Sequence, residues 1–152
     1  MTKYNQLVFT KGKEKALDAL FSGENEGVFG YLALGYQSDD QTNGFEEPAD
    51  ESNDVDENGG FNEITTAENY QRVQLKPISD ATTVDGKSGQ VIKKYEAELS
   101  ADNVTNSLIN QFAICDNAKF DEGDTTIYSA AAFKTFHKTS ETSITFIVGF
   151  KI

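Results

Sequence analysis

The amino-acid sequence predicts a mostly β protein: an antiparallel β-sandwich with one short N-terminal helix. Three observations predict it. Apolar and polar residues alternate with the period of two of a half-buried strand over Tyr70–Lys76, Val91–Leu99 and Ser143–Ile152. Helical spacing is read only near the start, between Lys11 and Ser22. No helical segment separates the later strands, so the crossovers of a parallel α/β sheet are missing. A chain of 152 residues is expected to form one domain. At that size roughly 68–70% of the unfolded surface is buried, enough to fold without staples.

In chain order, Leu7-Val8-Phe9 is a short apolar start and Thr10 an N-cap candidate. Leu17, Leu20 and Phe21 then fall at i, i+3 and i+4 on one helical face, and Gly23 follows as the stop. That face is expected to pack on the rest of the protein. Val28 to Tyr36 reads as a strand buried on both faces, and the chain is organised around it. Gln37 to Asn62 is a long acidic loop whose large apolar residues are Phe45, Val55 and Phe61. Loops of this length are usually functional or disordered. Tyr70–Lys76 is read as a strand ended by Pro77, with Val73 and Leu75 inward and Arg72 outward. Val91–Leu99 turns Lys94, Glu96 and Glu98 outward, and Leu108–Cys115 reads as a buried strand. Thr125–Phe136 is a further strand, and Ser143–Ile152 closes the chain with the clearest alternation. The expected core comprises Leu17, Leu20, Leu32, Leu34, Val73, Leu75, Phe112, Ile114, Phe146, Val148 and Phe150.

The net charge of −12 is concentrated in one segment. Between Ala16 and Gln71 there are 14 of the 25 acids and no Lys or Arg. The remainder holds 13 bases against 11 acids, a balance of +2. Phosphate backbones are bound by Lys and Arg, so this distribution argues against a nucleic-acid partner. There is no run of 18 apolar residues to span a membrane and no apolar leader at the N-terminus. One cysteine excludes an internal disulfide, and the expected folding compartment is a cytoplasm.

The residues offer no catalytic constellation. His137 and Cys115 are each the only one of their kind and lie in different predicted strands, so no nucleophile–base pair is read from them. Gly86-Lys87-Ser88 lacks the preceding glycine of a phosphate-binding loop. One stretch resembles the first half of a calcium loop: Asp54-Val55-Asp56-Glu57-Asn58-Gly59, with oxygens at Asp54, Asp56 and Asn58 and a glycine at the turn. Position twelve is Thr65 instead of Glu, so the alternatives are a Ca2+ site and a solvated acidic loop. The loop is also expected to contact a neighbouring copy, with Phe45 and Phe61 as apolar anchors and Arg72, Lys93 or Lys94 as basic counterparts.

The order of elements carries a resemblance. Leu7-Val8-Phe9-Thr10-Lys11-Gly12 leads into a helix closed by Gly23, and Tyr31-Leu32-Ala33-Leu34-Gly35 follows. After the polar loop come Tyr70-Gln71-Arg72-Val73, Ile109 to Asp116, Ala130-Ala131-Ala132-Phe133-Lys134 and the alternating final strand. This resembles the small virion structural proteins of tailed bacteriophages, of the tail, fibre or baseplate kind. The resemblance implies a non-enzymatic β-rich module of the tail, neck, baseplate or fibre attachment. Such a module works in many copies against itself and other virion proteins, and is assembled in the host cytoplasm. The alternatives are a capsid-surface decoration protein and a calcium-assisted β-sandwich that binds a glycan or other ligand.

Overall fold

The computed structural model describes residues 5–21, 28–38, 44–45, 60–78, 83–85, 90–120 and 125–151. The chain forms two antiparallel sheets and one helix. The elements in order are β1 (Gln6–Val8), α1 (Thr10–Phe21), β2 (Tyr31–Gly35), β3 (Val73–Gln74), β4 (Lys76–Pro77), β5 (Thr83–Asp85), β6 (Gln90–Leu99), β7 (Asn106–Cys115), β8 (Ile127–Thr139) and β9 (Ile144–Lys151). The first sheet has the order β1-β8-β7-β2-β3. In the second, β6 takes β9 along one edge, and β4 and β5 follow each other along the opposite edge.

The two sheets face each other across an apolar layer. Leu32, Leu34, Ile109 and Ile114 enter it from the first sheet, and Ala97 and Leu99 from the second. Aromatic rings close the gap between sheets: Phe112 and Phe146 lie 5.8 Å apart, and Tyr128 and Phe150 lie 6.0 Å apart, both edge-on. A second layer covers the outer face of the first sheet, with Phe9, Ala33, Phe45, Phe61, Ala113, Cys115, Ile127 and Ala130 buried together. β2 is therefore apolar on both sides, as its unbroken apolar run requires: Leu32 and Leu34 look into one layer and Ala33 into the other.

Bulges in β8 set its unusual pattern. The pairing steps from Ile109↔Phe136 to Gln111↔Ala132, and from Ile114↔Ser129 to Cys115↔Ile127, so β8 carries extra residues at both places. Three residues apart, Phe133 and Phe136 would point to opposite faces of a regular strand. With the extra residues they stack on each other at 5.8 Å and 19°. Ile127 and Ala130 reach the same outer layer for the same reason.

Two expectations are corrected. The segment Tyr70–Lys76 is not one strand: Val73 pairs with β2 in the first sheet, and Lys76 pairs with β6 in the second. Leu75, buried between them, is where the chain changes sheet, and its N–H bonds Gly30 O at 2.8 Å. The helix also fails to bury its apolar side. Leu17, Leu20 and Phe21 are 55%, 69% and 83% exposed. α1 is fastened by its first turn instead, where a Cβ on Gly12 would stand 2.4 Å from the backbone of Tyr128. That close approach seats the helix against β8, and an ion pair from Lys15 to Asp116 holds its next turn. Of the other expected core residues, Leu32, Leu34, Leu75 and Ile114 are buried, while Val73, Phe112, Phe146, Val148 and Phe150 are half-buried against them. No described helix is long and apolar enough to cross a membrane.

Candidate functional site

The densest polar cluster lies where the segment after the acidic loop returns to β2. Arg72 meets Glu63 through two bonds, Nη2 to Oε1 at 2.7 Å and Nε to Oε2 at 2.8 Å. This is the fork geometry that suits a guanidinium and a carboxylate. Nη1 donates to Asn117 O at 2.8 Å and Thr125 Oγ1 at 3.1 Å, which ties the cluster to the β7–β8 connection. Tyr70 donates its hydroxyl proton to Glu63 Oε2 and accepts from the Leu34 N–H at 3.1 Å. Both charged side chains are almost completely buried.

The electrostatics follow from that burial. Loss of solvent works against the Arg72 charge, but the bonds to Glu63 outweigh it and keep the guanidinium protonated above its ordinary range. Burial pushes the Tyr70 phenol well above its ordinary value, and the Glu63 carboxylate beside it adds to the shift. Cys115 lies in the same region, fully buried. Desolvation pushes its thiol up to about 11, although Arg72 pulls the other way. A reactive cysteine needs a lowered pKa and access, and this one has neither.

A second cluster clasps the two ends of the acidic loop. The Asn110 side chain accepts from Gln37 N–H at 2.9 Å and donates to Gln37 O at 2.8 Å, imitating a strand partner. Its Nδ2 also donates to Thr135 Oγ1 at 3.1 Å, across the bulge in β8. Gln111 does the same for the returning end: Nε2 donates to Gly60 O at 3.0 Å, and Oε1 accepts from Asn62 N–H at 3.1 Å. Gln37 Nε2 donates to the same Gly60 carbonyl. Gly35 beneath this clasp has no room for a side chain, since a Cβ would stand 2.7 Å from both Asn62 O and Gln111 Oε1.

A third buried polar group is Lys138, whose ammonium donates to Ala101 O and Val104 O at 3.2 Å and to Thr139 O at 2.7 Å. Desolvation lowers its pKa, with Asp102 opposing. It fixes the β6–β7 connection, where buried Val104 takes the uncommon φ of 58°.

The residues expected to face a neighbour are placed otherwise. Phe45 and Phe61 are not surface anchors: both are fully buried in the outer layer, with Phe9 packed edge-on to Phe45 at 6.4 Å. Large apolar side chains near the ends of a polar loop find their burial inside their own chain. Arg72 is likewise buried, and its charge is satisfied by Glu63 instead of by another copy. Lys93 and Lys94 remain exposed on β6. Asp54, Asp56 and Asn58, the candidate Ca2+ ligands, lie outside the described residues. His137 and Cys115 do not meet; the His137 ring contacts Asn106 Oδ1 at 2.6 Å. No local sequence pattern announces the amide clasp or the Glu63–Tyr70–Arg72 cluster. The one available signal was that Asn110 and Gln111 stand inside an otherwise apolar strand.

Comparison with protein families, curated proteins and solved structures finds no match to this chain.

Proposed function

We propose that this protein is a structural module of a tailed-phage particle, working in many copies in the tail, neck, baseplate or fibre attachment, and not an enzyme. The observation that carries the reading is the apolar row Leu17, Leu20 and Phe21, left exposed on α1 while the helix is fastened to the sheet through Gly12 and Lys15. Adjoining exposed apolar side chains of this size are characteristic of protein–protein contact. The buried polar groups support it from inside. Glu63, Tyr70, Arg72, Asn110, Gln111 and Lys138 all bond to the protein itself and brace loops.

The test is mass spectrometry of purified particles from the phage that encodes the chain, with copies per particle counted. Several or more copies per particle is the expected result, and absence from the particle overturns the reading. A capsid-surface decoration protein would instead be found on tail-less heads. A rise in melting temperature on adding Ca2+ would favour the calcium-assisted binding module suggested by Asp54, Asp56 and Asn58, because a ligand bound only by the folded state stabilises it by mass action.

A further inference from the structure

Among the described residues, β9 is paired along one edge only. β6 takes all eight positions, from Ile92↔Lys151 to Leu99↔Ile144, without a register shift. β9 contains no proline, and its one charged residue, Lys151, stands at the very end of the strand. Soluble proteins usually blunt such an edge with one or the other, because an unblunted edge is a template for another strand.

We propose that the occupant is a second copy: β9 pairs antiparallel with the partner's β9 about a two-fold axis at Val148, joining two second sheets into one. This rests on the multi-copy reading above and names a surface for it. Three features select the register. With Val148 opposite the partner's Val148, the whole strand overlaps its mate. On the inner face, half-buried Phe146 then lies opposite the partner's Phe150, an aromatic cross-strand pair made twice by symmetry. On the outer face, Ile147, 65% exposed, lies opposite the partner's Gly149. Gly149 is a notch: the nearest atoms to its missing Cβ are Ile92 Cγ2 at 3.8 Å and Lys94 Cγ at 3.9 Å.

Charge gives the same answer. Within one sheet Glu96 stands opposite Ile147, Glu98 opposite Thr145, and Lys94 opposite Gly149. The Val148 axis therefore sets Glu96, Ile147, the partner's Gly149 and the partner's Lys94 in one row across the joined sheet. An axis at Ile147 would put Glu96 in a row with the partner's Glu96. An axis at Phe146 would put Glu98 in a row with the partner's Glu96. Among these three, only the Val148 register sets no like charges in one row. At about 14 Å across three strand spacings the attraction is largely screened, so it selects register more than it adds affinity.

The experiment is sedimentation equilibrium of the full chain and of Ile147→Lys, with far-UV spectra and melting recorded for both. Because Ile147 is exposed, the variant is expected to keep its fold and melting temperature. The wild-type chain is expected to dimerise reversibly at about 10–100 μM, as suits a small interface. The variant is expected to raise the dissociation constant roughly tenfold or more, by setting a charge against the notch. In a Cys115→Ala background, Val148→Cys should form an interprotomer disulfide under mild oxidation faster than Ile147→Cys does. A wild-type chain that stays monomeric to about 1 mM, an Ile147→Lys chain that associates as well as wild type, or faster crosslinking at 147 overturns the proposal. If Ile147→Lys associates normally and still enters particles, this edge is wrong and the multi-copy reading stands. If β9 pairs but the chain is absent from particles, the edge stands and the particle reading falls.

Discussion

The two faces of the first sheet are built by different means. The inner face is covered by a second sheet, and its layer is made of strand residues whose alternation is regular: Leu32 and Leu34 on β2, Tyr95, Ala97 and Leu99 on β6, Phe146, Val148 and Phe150 on β9. The outer face is covered by connections. Phe9 comes from the turn before α1, and Phe45 and Phe61 come from near the two ends of the acidic loop. One layer is thus periodic, with Leu32, Leu34, Ala97 and Leu99 fully buried and the β9 side chains half-buried against them. The other has no period and encloses its phenylalanines completely. The lesson is that isolated aromatics near the ends of a polar loop can complete a core, with those ends fastened by amide side chains from the strand beneath.

The sharpest way to break the outer side is at Arg72. Arg72→Met leaves the Glu63 carboxylate buried with its guanidinium partner gone, and removing one member of a buried pair costs about 3–5 kcal/mol. Urea unfolding measures it. A loss below about 1 kcal/mol would mean that water reaches Glu63, and that the cluster does not brace the loop return.

The two layers can then be compared directly through one phenylalanine from each. Phe61→Ala is expected to cost about 3–5 kcal/mol, because the side chain is fully enclosed. Phe146→Ala is expected to cost less, about 1–3 kcal/mol, because the ring is half-buried and part of its area already meets water. Equal losses in denaturant unfolding would mean that the connection-built layer is no tighter than the sheet-built one.

Cys115 sharpens the comparison by pH. Its thiol ionises near 9 when unfolded and is pushed up to about 11 in the folded protein, so the neutral form is the one folding favours. That contribution is fully present below pH 9 and is lost as pH rises from 9 to 11. Two units correspond to about 2–3 kcal/mol. Cys115→Ala should flatten this part of the alkaline stability curve. The Tyr70 phenol, raised by burial beside Glu63, acts in the same direction at still higher pH. At pH 8 the native thiol should resist alkylation and become reactive only on unfolding.

What was legible in the sequence follows the same division. The strands β6 and β9 and the two-sided burial of β2 could be read because a period of two is written residue by residue. Phe45 and Phe61 could not, since a lone aromatic in an acidic loop reads the same whether it folds back or reaches outward. Alternation puts Arg72 on the solvent side, yet its segment changes sheet at Leu75, and Glu63 supplies a partner that no local pattern announces. Spacing identifies the helix but not its contact. Hydrophobic spacing pointed to Leu17, Leu20 and Phe21, whereas the contact is made by Gly12, which has no side chain to signal it.

The smallest expected effect on folding is on that helix face, and it separates stability from assembly. Leu20 and Phe21 are 69% and 83% exposed, so Leu20→Ser and Phe21→Ser remove little buried area. Each should change unfolding free energy by no more than about 0.5 kcal/mol, the usual range for surface positions. Two exposed apolar side chains with no folding role are explained if they are covered in the assembled particle. Under the proposed particle role the double variant should melt like the wild-type chain yet enter particles in lower copy number, measured by mass spectrometry of particles that carry it. A large fall in melting temperature would instead show that this face does pack on the protein itself, and the helix would rejoin the core that its spacing predicts.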